Sequence, residues 1–325
     1  MINHNLYIEQ IDTYIDPYKP VKNAIITHSH FDHAKPGHEN VLATKETIEI
    51  MKIRYGKNCA KNFQALRYND ELIINNIGIK LIPAGHILGS SQVLISNKKN
   101  RILITGDFKT TNDKSCICFE ESKCDLLITE ATFGLPIFKH PNPIKEIKKL
   151  TNEIERKENR TFLVGAYSLG KSQRLLSLLR EVGYDETVYI HGALKNICDF
   201  YVKSGIFLGN YDHVKNKNEK DLINKIIIAP PSSIRGNWAN RFINKKICLA
   251  SGWMTIKQRI KQSNIEIPLV ISDHSDWYEL TNNILNSQAK NVWVTHGRED
   301  ALTYWCKENS IGSKPLRLVN REEGN

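Results

Sequence analysis

Within six residues, His28-Ser29-His30-Phe31-Asp32-His33 gathers three of the chain's 11 histidines and a carboxylate. The apolar run Ala24-Ile25-Ile26-Thr27 precedes it, so the cluster reads as a loop at the end of a short buried strand. Alternate spacing sends His28 and His30 the same way, while Asp32 and His33 turn toward a neighbouring point. A polar turn that is rich in histidine by accident is the bland reading. Ligands offered to two adjacent metal ions is the chemical one, because imidazole and carboxylate are what such ions take. A fold that uses this loop must bring further ligands to it from other strand ends.

Several apolar runs stop at such residues. Leu81–Ala84 leads to Gly85-His86, Arg101–Thr105 to Gly106-Asp107, and Asp125–Thr129 to Glu130. Leu269–Ser272 leads to Asp273-His274, and Asn291–Thr295 to His296-Gly297. One histidine at a strand end is most often an ordinary turn residue. Five such ends together point to a site, since loops held by a rigid sheet are where reactive groups collect.

Between these ends the pattern is β over 71–107, with Asn97-Lys98-Lys99-Asn100 as a hairpin turn. Thr44 reads as the N-cap of a helix that carries Ile48, Met51 and Tyr55 on one face. Asp16-Pro17 and Lys19-Pro20 read as breakers. The character changes at 136–143. A helix with Ile144, Ile147, Leu150 and Ile154 on one side follows, then strands at 161–165, 187–190, 226–229 and 247–250 with a helix over 170–182. That alternation predicts a small parallel α/β unit.

Charge separates the same middle segment. Residues 139–266 hold 23 basic and 12 acidic side chains, a net of +11, within a chain whose total is +10. Concentrated positive charge favours a polyanionic partner, with nucleic acid first. No apolar stretch approaches a membrane span, and Met1-Ile2-Asn3-His4-Asn5 has no secretory pattern. Seven scattered cysteines suit a reducing cytoplasm, and Cys116, Cys118 and Cys124 lack the second pair that a zinc-binding pattern needs.

His28-Ser29-His30-Phe31-Asp32-His33, Gly85-His86 and Thr105-Gly106-Asp107 resemble the ordered metal motifs of the metallo-β-lactamase fold. Leu127–Gly134, Ser272-Asp273-His274-Ser275-Asp276 and Val294-Thr295-His296-Gly297 resemble the three extra motifs of its nucleic-acid-processing branch, the β-CASP nucleases. Within that branch, Pro83–Gln92, Ser168-Leu169-Gly170-Lys171 and Ser251-Gly252-Trp253-Met254 look most like the bacterial ligase-associated DNA exonucleases.

The resemblance implies an α/β fold: an αββα four-layer core from 1–138 and 267–325, with an α/β cap inserted at 139–266. It implies His28, His30 and His86 on one divalent ion, and Asp32, His33 and His296 on a second, with Asp107 bridging. Zinc suits this set best and manganese is compatible. Asp32 and Asp107 then serve catalysis with Glu130 and His274, the last resembling the family's proton donor to the leaving oxygen. Asp276 reads instead as a helix N-terminal carboxylate. The implied activity is a DNA phosphodiesterase, an exonuclease of repair with a link to a DNA ligase or helicase. An RNA-processing ribonuclease is the alternative, and an inactive nucleic-acid-binding scaffold is a third reading that an intact ligand set disfavours. A histidine at the position of His296 occurs in RNA-cleaving members and in the bacterial DNA exonucleases alike, so it leaves the substrate open.

Gly165-Ala166-Tyr167-Ser168-Leu169-Gly170-Lys171-Ser172 also fits the phosphate-loop pattern G-x-x-x-x-G-K-S, after a strand and before a helix. The following strands, Val188–Ile190 and Ile226–Ile228, lack the carboxylate that would complete a magnesium site. Ser168, Lys171 and Arg174 are therefore read as candidates for a substrate phosphate at a helix N-terminus. Arg235, Trp253 and Arg259 are further candidates for the nucleic-acid groove.

Overall fold

The computed structural model describes residues 2–215 and 217–319. It divides into two units. Lys139–Asp273 forms the second, and the described residues on either side form the first.

The first unit opens with β1 (Tyr7–Ile8), β2 (Thr13–Ile15), β3 (Asn23–Ile25), β4 (His38–Ala43) and β5 (Ala60–Ala65), side by side in that order. Only the β1–β2 pair is antiparallel. The helix α1 (Lys45–Tyr55) intervenes before β5, and Thr44 caps it by accepting from the Thr47 N–H at 3.2 Å. Next come β6 (Glu71–Ile74), β7 (Ile77–Pro83), β8 (Ser91–Ser96), β9 (Arg101–Ile104) and β10 (Leu126–Ala131). The β8–β9 turn closes because Asn97 Oδ1 accepts from the Lys99 and Asn100 N–H groups, each at 2.9 Å.

In the second unit, β11 (Thr161–Gly165), β12 (Val188–Ile190), β13 (Tyr211–His213), β14 (Ile226–Ala229), β15 (Lys245–Ala250) and β16 (Ile267–Leu269) build an all-parallel sheet in the order β13-β12-β14-β11-β15-β16. Helices α2 (Pro143–Glu155), α3 (Lys171–Glu181), α4 (Gly192–Lys203), α5 (Pro231–Arg235) and α6 (Lys257–Gln262) connect it. The sequence reading ends this unit at 266. The structure carries it on, because β16 adds to the edge of β15 through Cys248–Ile267 and Ala250–Leu269 pairing. The expected strand at 269–272 is thus shifted to Ile267–Leu269, and Asp273 falls in the second unit.

Chain return supplies α7 (Trp277–Ser287), β17 (Asn291–Gly297), α8 (Glu299–Glu308) and β18 (Gly312–Pro315). The strands extend the second sheet of the first unit to the order β18-β17-β10-β9-β8-β7-β6. Side chains on successive strand residues point to opposite faces, and here both faces are buried. Val93, Ile95, Ile102 and Ile104 meet Ile25 and Leu42 of the first sheet, whereas Leu94 and Leu103 meet Leu280, Ile284 and Leu302 of α7 and α8. On the outer face of the first sheet, Ala24, Ile26 and Val41 pack on Ile48 and Met51 of α1. The layers are therefore helix, sheet, sheet, helices. Near-continuous apolar strands in this sequence follow from burial on both sides.

Candidate metal centre and acid–base pair

The β3 exit carries the first candidate ligands. His28 is buried just past the strand, and a turn with the Ala34 N–H donating to His30 O at 2.8 Å brings His30 and His33 back beside it, at 4.9 and 4.1 Å between ring centroids. His86 follows β7, Asp107 follows β9, Glu130 lies on β10 and His296 on β17. Their convergence is close. Asp107 Oδ2 lies 3.5 Å from His28 Nε2, 3.4 Å from His33 Nε2 and 3.8 Å from His86 Nε2, and its Oδ1 lies 3.7 Å from His296 Nδ1. His30 Nδ1 and His86 Nε2 are 3.0 Å apart.

One ligand atom each from His28, His30, His86 and Asp107 falls within 4.8 Å of the others, and so do those of His33, Asp107 and His296. Either group could hold a metal ion. The fit is more than proximity: the Nε2 atoms of His28 and His33 are buried and make no hydrogen bond, a costly state that a bound cation relieves. Asp32 stands at the rim, its side chain 74% exposed and its Oδ2 4.0 Å from His33 Nε2.

The electrostatics suit a cation. Burial alone would raise the Asp107 pKa, yet His33, His274 and His296 hold its carboxyl well below the usual range. Burial and the neighbouring His33 push His28 far down, so it stays neutral and able to ligate. Burial would do the same to His33, but Asp107 and Asp16 outweigh it and raise that imidazole well above its ordinary value. A metal can use His33 only once that imidazole has given up its second proton, so metal uptake there is coupled to proton release.

Asp16 is the residue that sequence reasoning missed. In the sequence it is half of a breaker, Asp16-Pro17. Its Oδ2 lies 2.7 Å from His33 Nδ1, and its Oδ1 accepts from the Thr27 N–H at 2.7 Å. A carboxylate behind a ligating imidazole fixes the ring and its tautomer. The available signal was an aspartate at the end of β2, where it adopts φ 46°.

His296 is placed by an irregularity that no periodicity shows. In the parallel β10–β17 ladder Glu130 pairs with Thr295 and Ala131 with Gly297, so His296 is the extra residue. Such a bulge re-aims a side chain. His296 takes φ 49°, and a Cβ on Gly297 would stand 2.0 Å from Ala131 O, so only glycine passes there.

Beside Asp107, His274 Nδ1 lies 3.1 and 3.0 Å from the two Glu130 oxygens. Glu130 is buried and is itself held, with Oε1 accepting from the Phe108 N–H at 2.8 Å and Oε2 accepting from the Thr132 hydroxyl. Asp276 caps α7, accepting from the Tyr278 and Glu279 N–H groups at 2.9 and 3.0 Å.

Glu279 ties that helix to the loop after Asp107. It pairs with Lys109 and accepts from Thr110 Oγ1 at 2.8 Å, Thr111 N–H at 2.9 Å and Asp276 N–H at 2.9 Å. Burial would raise its pKa, but Lys109 and these donors lower it to about 2. A carboxyl depressed in the folded state contributes stability that is complete above its unfolded value near 4.5 and is lost as pH falls toward 2. The contribution is about 3 kcal/mol. Glu279→Gln should therefore unfold more easily than the native chain at pH 7 in a urea titration, and the gap should close near pH 2. A constant gap would remove this role.

Lys171 and Arg174 take a different place from the one expected. Both are buried. The Lys171 ammonium is paired with Asp273, and Arg174 Nη1 donates to Ser272 O. Ser168 is half-buried, and its carbonyl accepts from Gln173 Nε2 at 3.0 Å. The loop's groups serve the loop itself: Gly170 N–H donates to Gln173 Oε1 at 2.7 Å and Ser172 Oγ to Tyr167 O at 2.7 Å. Trp253 is half-buried with the Arg259 guanidinium 4.3 Å from its ring, and exposed Arg235 donates to Ser263 Oγ at 3.1 Å. Among the described residues no helix is long and apolar enough to cross a membrane.

No family model matches the chain. A protein named probable DNA ligase from Opitutus terrae is 28% identical over 99% of this chain, which spans 31% of that protein. RNase aCSPSF2 of Saccharolobus solfataricus is 28% identical over 69% of this chain and 54% of its own length. Endoribonuclease ysh1 of Aspergillus fumigatus is 35% identical over 43% of this chain and 16% of its own length. The chain thus spans between about a third and half of the first two relatives. Among solved structures, a protein of unknown function from Enterococcus faecalis matches with a TM-score of 0.61 at 15% identity, over 93% of this chain and 80% of that one. That likeness extends to the fold alone.

Proposed function

We propose that this chain, which belongs to the β-CASP branch of the metallo-β-lactamase superfamily, is a metal-dependent phosphodiesterase that degrades DNA from an end. The observation that carries the chemistry is the Glu130–His274 pair standing against Asp107 inside the histidine cluster, with one ligand atom of each of the three within 4.8 Å. His28, His30 and His86 would hold one divalent ion, and His33, His296 and Asp32 a second, with Asp107 shared between them. Bound ions of this kind, zinc by donor set and manganese as an alternative, supply Lewis acidity at a phosphodiester and a water-derived nucleophile at neutral pH.

The chain's own residues do the rest. Asp16 anchors His33 from behind and keeps its other nitrogen turned inward. Glu130 engages His274 through Nδ1, which leaves proton exchange with the leaving oxygen to Nε2. Phe108 N–H and Thr132 hold Glu130 in place, so the pair is set before substrate arrives. His274→Ala should slow turnover by about 10²–10⁴-fold while metal content, measured by elemental analysis, stays at the native level. Loss of metal together with activity would make His274 a ligand and remove its acid–base role.

DNA is favoured because the relative that matches 99% of this chain is named a probable DNA ligase. The same match supports a functional link to a ligase. The RNase names of other relatives favour the second reading, an RNA-processing ribonuclease with the same centre. Basic excess in 139–266 fits either polyanion. End-labelled DNA and RNA, single- and double-stranded, offered to the zinc- or manganese-loaded protein decide between them. A ladder from DNA alone supports the first reading, and one from RNA alone overturns it.

A further inference from the structure

The turn that carries His30 and His33 also carries Phe31, which it leaves exposed. Phe31 and Lys35 are four apart in the chain, and their side chains meet. The Lys35 ammonium lies 3.3 Å from the Phe31 ring centroid and 4.8 Å from that of Tyr18. Both rings face solvent, Phe31 at 60% and Tyr18 at 76% exposure, whereas Lys35 is 8% exposed. This is an unusual arrangement, for two large apolar surfaces are held out in water and a cation is held under them.

Lys35 forms no hydrogen bond and no ion pair among the described residues, with Asp32 or with any other carboxylate. Buried lysines are nearly always paired. Among the described residues its ammonium lies against two ring faces, each of which attracts a cation. Arg54, exposed and without an ion pair among the described residues, donates to Ser29 O and adds a second cation against the same loop.

We propose that Phe31 and Tyr18 form a stacking surface for an unpaired nucleobase next to the scissile phosphate, with Lys35 fixing the rings and attracting the adjoining backbone. The inference rests on the nucleic-acid reading above and narrows it. A base stacked on these rings has left the duplex stack, so the strand meets the metal loop single-stranded. Exposed aromatic faces over a cation take any base, since every base has a π-face. The covalent loop sets the distance: Phe31 lies between His30 and Asp32, and Lys35 is two residues beyond His33. Because the ammonium already orders both rings, less freedom is lost on binding.

The test is binding of the metal-loaded protein to a fluorescein-labelled, phosphorothioate-linked single-stranded decamer and to the same decamer with abasic positions at its end. Phe31→Leu should weaken binding of the intact decamer about tenfold and leave the abasic one unchanged, with Phe31→Trp restoring the native value. Lys35→Met should weaken the intact decamer and reduce the slope of log Kd against log salt by about 0.7. Equal losses on both decamers, or no loss on either, would overturn the stacking surface while the nuclease reading stands. Failure of the native protein to bind either decamer would overturn the nucleic-acid reading and this inference with it.

Discussion

Asp107→Ala is expected to abolish phosphodiester cleavage, with a loss of about 10³-fold or more, and to lower bound metal. Asp107 reaches five imidazoles of the centre. Its two oxygens lie within 3.4–3.9 Å of His28, His33, His86, His274 and His296. Without it, His28, His86 and His296 lose the carboxylate that faces them, His33 and His274 keep Asp16 and Glu130, and the cation preference falls with the charge that created it. Asp107→Asn separates charge from shape, because the amide fills the same volume and cannot bridge two cations. It should resemble the alanine variant in activity and metal content while unfolding like the native chain. Full activity in either variant would remove the metal mechanism.

Lys171→Met should cost the second unit about 3 kcal/mol, seen as a drop in Tm of roughly 10 °C. The ammonium and the Asp273 carboxylate are each 4% exposed, so Lys171→Met takes a cation away from a buried carboxylate. The double change Lys171→Met with Asp273→Leu should recover most of the loss, since a matched apolar pair has no charge to strand. A phosphate-binding lysine behaves in the opposite way: its variant folds normally and binds substrate less well. An unchanged melting curve with weakened substrate binding would restore the phosphate reading.

Lys171 shows where local pattern misleads. The letters from Gly165 to Ser172, the strand before them and the helix after them all satisfy a phosphate loop. Whether a side chain at the first helical position faces a ligand or the protein depends on what lies opposite it. Here that is Asp273, on the chain segment after β16. The boundary near 266 misled in the same way. Ile267–Leu269 is apolar enough for either unit, and edge pairing with β15 decided.

Other features were legible because their causes are local. Thr44 caps α1, Asn97 closes the β8–β9 turn and Asp276 caps α7 through bonds spanning two or three residues. Strand-end chemistry was legible too, since a buried apolar run followed by glycine and a polar residue reads as a strand leaving the sheet. Glu130 and His274, 144 positions apart, were paired only through a family resemblance, and the geometry then put their side chains 3.0 Å apart.

By itself the sequence determined the kinds of candidate ligand, the loops that carry them and the succession of strands buried on both faces. Those depend on side-chain chemistry and on periods of two and 3.6 residues, which each segment has alone. Tertiary structure decided the rest: that Asp107 is the hub, that Asp16 braces His33, that His296 is aimed at Asp107 by one extra residue in a ladder, and that Lys171 is turned away from solvent. Each of these depends on register or packing between distant strands, where a shift of one residue moves a side chain to the opposite face.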